Sequence, residues 1–105
     1  MSDTSRTVVD VHAHAVPREL LTVLPAGAPS PPPGLTDVPA RLAAMDRMGV
    51  DVQVVSPWIE LSPDELAPSA RTTFLRMLND GMAELAAHHP DRLRALALLD
   101  RHDPD

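Results

Sequence analysis

The sequence predicts an α/β fold with a parallel sheet, on three observations. Short valine-rich runs recur at 8–11 and 50–56, segments with helical spacing and helix caps lie between the apolar runs, and turn-forming clusters separate them. With 105 residues there is room for one small domain at most.

Val8-Val9-Asp10-Val11 is β-branched and leads to Pro17, so a first strand is expected over about 8–14. The following stretch, about 25–37, carries Pro25, Pro29, Pro31, Pro32, Pro33 and Gly34. Proline removes backbone donors and fixes φ, which excludes a regular helix or a central strand there. A solvated loop and a substrate-covering loop both fit that composition.

Thr36 or Asp37 can cap a helix over about 38–48, with Pro39 in its first turn, Leu42, Met45 and Met48 at a spacing of three, and Gly49 as a left-handed stop. A second strand, about 50–56, follows at once and ends at Pro57. Ser69 can cap a longer helix, about 69–88, with Phe74, Met77, Leu78, Met82, Leu85 and Ala86 on one face around Gly81. Leu93–Leu99 is apolar enough for a third strand, and the αβ rhythm favours that assignment over a helix. Met45, Met48, Met77 and Met82 suit core positions.

Composition narrows the function. The formal net charge is −6, and the nine basic residues, all arginine, are scattered, so no basic face for nucleic acid is expected. The absence of cysteine excludes disulfides, thiolate metal sites and a cysteine nucleophile. No apolar run approaches the roughly 20 residues of a membrane span, and the Met1–Arg6 segment leads into too few apolar residues for a signal peptide. A cytoplasmic protein is expected, with no nucleic-acid or membrane partner.

His12 and His14 fall at the carboxyl end of the first strand. Strand alternation puts both imidazoles on one face together with Asp10. Paired neutral nitrogen donors suit zinc and its neighbours, and the carboxyl ends of parallel strands are where such folds place ligands. A pair of histidines at this spacing also occurs without any metal. Trp58, just past the second strand, can line the same pocket or cover the core as a loop aromatic. His88 and His89 suit a helix C-terminus, and His102 lies in a polar tail. Asp46, Asp51 and Asp80 read as surface or hydrogen-bonding residues.

Asp10-Val-His12-Ala-His14-Ala-Val-Pro17 resembles the first-strand signature of the amidohydrolase superfamily, and more narrowly its amidohydrolase-related (amidohydrolase 2) branch, which includes aminocarboxymuconate-semialdehyde decarboxylase. Two further segments are similar to that branch in order. Arg41-Leu-Ala-Ala-Met45-Asp46-Arg-Met-Gly49-Val50-Asp51-Val-Gln53-Val-Val-Ser56 is one; Asn79-Asp80 with His89-Pro90-Asp91-Arg92 and the Leu/Ala run toward Asp103-Pro104 is the other.

The resemblance implies a TIM (β/α)8 barrel of which this chain supplies the N-terminal portion, about three βα units. It implies His12 and His14 as ligands of a divalent metal, most often zinc, with Asp10 supporting them or filling the lumen. It also implies a hydrolase or nonoxidative decarboxylase acting on a small carboxylic acid or related substrate. A closed barrel needs about 250 residues, so no catalytic base is assigned here, and an N-terminal fragment inactive in isolation is expected. The alternative is a non-catalytic product or assembly module pairing through exposed sheet edges. Homo-oligomerisation is left open.

Overall fold

The computed structural model describes residues 6–24 and 27–103; Met1–Ser5, Pro25 at the start of the proline-rich loop, and Pro104 of the last matching segment lie outside them. Three parallel strands, β1 (Val9–Ala15), β2 (Val52–Pro57) and β3 (Leu93–Ala95), form one sheet in the order β1-β2-β3. Helix α1 (Val38–Met48) connects β1 to β2, and helix α2 (Pro68–Ala87) connects β2 to β3. The chain is therefore an α/β unit of consecutive parallel crossovers. No helix of the described residues is long and apolar enough to cross a membrane.

Local chemistry sets the helix ends. The Asp37 carboxylate accepts from the Ala40 N–H at 3.0 Å and opens α1, and Gly49 closes it at φ 72°. Helix α2 departs from expectation, because Ala67 and not Ser69 is its cap and Pro68 occupies the first turn. Proline needs no N–H acceptor at that position and arrives with a helical φ, so the helix starts before the serine. The proline-rich loop holds more local structure than its composition suggests, because Pro33–Leu35 forms a single 3₁₀ turn. Before that loop, Arg18–Thr22 forms another 3₁₀ segment shortly after β1.

Along β2 burial alternates, with Gln53, Val55 and Pro57 buried and Val52, Val54 and Ser56 half-buried. Leu93 and Ala95 of β3 pair with Gln53 and Val55 and so share their face. That face meets Met45 of α1 and Leu78 and Met82 of α2 in a core completed by Ala15, Val16, Leu20 and Leu61. The methionines divide, however: Met48 and Met77 are exposed, while Met45 and Met82 are buried.

Strand β3 is shorter than the apolar run 93–99 suggests. Its last cross-strand bond runs from the Leu96 N–H to the Val55 carbonyl. Beyond it the Asn79 side chain takes over, donating to the Leu98 carbonyl at 2.9 Å and accepting from the Leu98 N–H at 2.8 Å. A side-chain amide on α2 thus satisfies the backbone that a ladder would otherwise pair. At the opposite end of the sheet Arg92 donates to the Val50 and Asp51 carbonyls and to Asp46, locking the α1–β2 junction.

Candidate metal centre

Strands β1 and β2 are not in continuous register. Asp10 pairs with Gln53, and Ala13 with Val55, so a three-residue step on β1 faces a two-residue step on β2. Side chains alternate with period two, so one inserted residue transfers everything beyond it to the other face. Asp10 therefore shares the face of Gln53, while His14 pairs with Ser56 and shares the face of Ser56. This corrects the simple alternation that would place Asp10 beside both imidazoles. His12 and His14 stay together beyond the insertion, with ring centroids 5.2 Å apart in an edge-to-face arrangement.

Asp10 instead belongs to a polar chain that ends on the backbone of the two histidines. Its carboxylate accepts from the His12 N–H at 3.1 Å and from Gln53 Nε2 at 3.0 Å. Gln53 Oε1 accepts from Arg41 at 2.6 Å, and the second terminal nitrogen of Arg41 donates to the His14 carbonyl at 2.5 Å. The His12 N–H and then the Gln53 amide hold the Asp10 carboxyl below its ordinary pKa. Burial pushes the Arg41 pKa down, opposed by the Asp10 charge. No buried side-chain nitrogen or oxygen among the described residues lacks a partner, so no buried atom of this network goes unsatisfied.

Arg41, Gln53 and Ser56 carried no assigned role in the sequence, although all three stand in the segment from Arg41 to Ser56. A legible signal was present, namely a glutamine inside Val-Gln-Val, where a buried strand face demands a partner for its amide.

Trp58 is half-buried and packs against the core. It lines a cleft with Asp64, Leu98, Leu99 and Arg101, and neither His12 nor His14 is among the residues lining that cleft. His102 faces Asp64 at 3.5 Å, and His88 Nδ1 bonds the Glu84 carbonyl on its own helix. The structure gathers only His12 and His14, of the five histidines, into a pair. Among the described residues no group of three or more His, Asp or Glu side chains could hold a metal. The donor chemistry fits two positions of a metal site, and catalytic zinc sites generally use three protein ligands.

No family model matches the chain, and no curated protein does. Solved structures do. 2,6-Dihydroxybenzoate decarboxylase from Rhizobium superposes with a TM-score of 0.73 at 26% identity, covering 95% of this chain and 32% of its own. An amidohydrolase II superposes with a TM-score of 0.65 at 25% identity, covering 89% and 31%. The chain resembles the amidohydrolase-related branch of the amidohydrolase superfamily.

A third member of this group is the dihydroxybenzoic acid decarboxylase from Polaromonas, solved with bound manganese and the inhibitor 2-nitroresorcinol. It superposes with a TM-score of 0.65 at 24% identity, covering 90% of this chain and 30% of its own. The chain thus spans about a third of the length of the amidohydrolase-related structures it matches, and it corresponds to an N-terminal part of their TIM barrels.

Proposed function

We propose that this chain forms the opening of a metal-dependent amidohydrolase-related enzyme, and that His12 and His14 supply two ligands of its divalent metal. The observation that carries the reading is the imidazole pair, 5.2 Å apart at the carboxyl end of β1, on a fold similar to that of decarboxylases, three of whose structures are manganese-bound. The imidazole donors suit zinc, and manganese is the ion in the Polaromonas neighbour. A bound divalent ion would act as a Lewis acid on a substrate oxygen or lower the pKa of a bound water.

The chain's own residues hold and orient. Ser56 and the Pro57 carbonyl meet His14 Nδ1, and the Asp10–Gln53–Arg41 chain fixes the backbone that carries both imidazoles. In this reading the substrate is a small hydroxylated aromatic or related carboxylic acid, the reaction is nonoxidative decarboxylation, and hydrolysis is the alternative chemistry of the same branch. The remaining ligands and the proton-transfer group would come from outside the described residues.

The test is metal content and carbon dioxide release from hydroxylated benzoates, measured on the protein as its own cells make it. The reading expects bound zinc or manganese, with metal and activity both lost in His12→Ala/His14→Ala. Full retention of stoichiometric metal in that double variant would contradict it.

The edges favour a second reading, an assembly module. Among the described residues β1 and β3 each pair on one side only, and Val9 and Val11 on β1 are exposed. A cooperatively unfolding monomer in sedimentation and calorimetry would exclude it.

A further inference from the structure

The Ser56 hydroxyl lies 3.1 Å from the Ala13 carbonyl oxygen and 3.1 Å from His14 Nδ1, and the Pro57 carbonyl oxygen lies 3.3 Å from the same nitrogen. A hydroxyl has one proton to give, and a carbonyl can only accept. If His14 Nδ1 carried a lone pair, Ser56 would have to donate to it. The Ala13 oxygen would then face another oxygen, and the Pro57 oxygen would face a lone pair. If Nδ1 carries the proton, Ser56 donates to Ala13, and the N–H is shared between Ser56 Oγ and Pro57. All three contacts are then hydrogen bonds. The half-buried position of Ser56 and His14 raises the cost of the mismatched arrangement.

We infer that Ser56 is a positioning residue that holds the neutral His14 ring in its Nδ1–H form, leaving Nε2 as the atom that donates to an incoming cation. Strand register makes this specific, because Ser56 is the direct cross-strand partner of His14. Metal-bound histidines commonly have their second nitrogen fixed in this way, and here the partner is a serine on the neighbouring strand. His12 has no equivalent side-chain hydrogen-bond partner among the described residues, so only one of the two imidazoles is held in this way.

The inference deepens the metal-centre reading, but its test is read without metal. Nitrogen NMR of the full chain, metal-free and carrying isotope-labelled histidine, reports which ring nitrogen bears the proton. The wild type is expected to show a protonated Nδ1 and a bare Nε2 for His14, the reverse of the form that free histidine prefers. Ser56→Ala is expected to shift the ring toward Nε2–H, and Ser56→Thr, which keeps the hydroxyl, to restore Nδ1–H. A wild-type His14 in the Nε2–H form overturns the inference, and so does an unchanged Nδ1–H signal in a folded Ser56→Ala variant. An Nδ1–H ring in wild-type protein that takes up neither zinc nor manganese would leave the Ser56 assignment standing and remove the metal reading. Metal bound with His14 in the Nε2–H form in the apo protein would do the opposite.

Discussion

Gln53 Nε2 donates to Asp10 Oδ2 at 3.0 Å across the β1–β2 pairing, immediately before the register of the two strands slips. The same amide accepts from Arg41, so one buried side chain joins two strands to a helix. Gln53→Ala leaves a carboxylate and a guanidinium without their shared partner. The expected loss is about 1–3 kcal/mol of unfolding free energy, read from urea midpoints. A midpoint equal to wild type would show that the network adds nothing to stability.

Gly81 sits inside α2, where alanine would ordinarily gain about 1 kcal/mol in helix propensity. A Cβ there would meet the Pro17 ring at 2.6 and 2.8 Å. Proline cannot swing aside, so overpacking, at about 1–3 kcal/mol, outweighs the gain. Gly81→Ala is expected to lower the thermal midpoint, and a midpoint at or above wild type would contradict the overpacking.

The Arg71–Asp100 ion pair, at 2.7 Å, fastens the start of α2 to the segment beyond β3. Hydrogen bonding from Arg71 holds the Asp100 carboxyl below its ordinary value of 3.8. Because the folded pKa is the lower one, the stabilisation is fully present above the unfolded value and disappears as pH falls through the folded value. Asp100→Asn is expected to reduce stability at neutral pH and to flatten its decline below about pH 4. An unaltered acid profile would contradict the assignment.

Leu78 is fully buried between α2 and the sheet. Truncation to alanine is expected to cost about 2–5 kcal/mol. In a small unit with an aliphatic core, calorimetry should show that loss as a large drop in midpoint or no cooperative transition.

Much of this architecture is legible in the residues. The valine runs mark β1 and β2, while Asp37 and Gly49 bracket α1 through cap chemistry that acts over a few residues. What stayed hidden depends on partners distant in sequence. The end of β3 is decided by Asn79, nineteen residues from Leu98, and the face of Asp10 by a slip in register that no alternation pattern contains. The imidazole pair is visible as a spacing, but the proton position on His14 depends on Ser56, forty-two residues away. Met48 and Met77 follow helical spacing and still face outward, because the sheet covers only part of each helix.

We propose that His12 and His14 bind one divalent metal. The most direct test is an anomalous difference map from crystals of the protein, as its cells produce it, grown with zinc or manganese. A single peak is expected within bonding distance of ring nitrogens from both residues, about 2.0–2.1 Å for zinc, with His14 contributing Nε2. A fully occupied metal bound elsewhere, with neither imidazole in its coordination sphere, would contradict it.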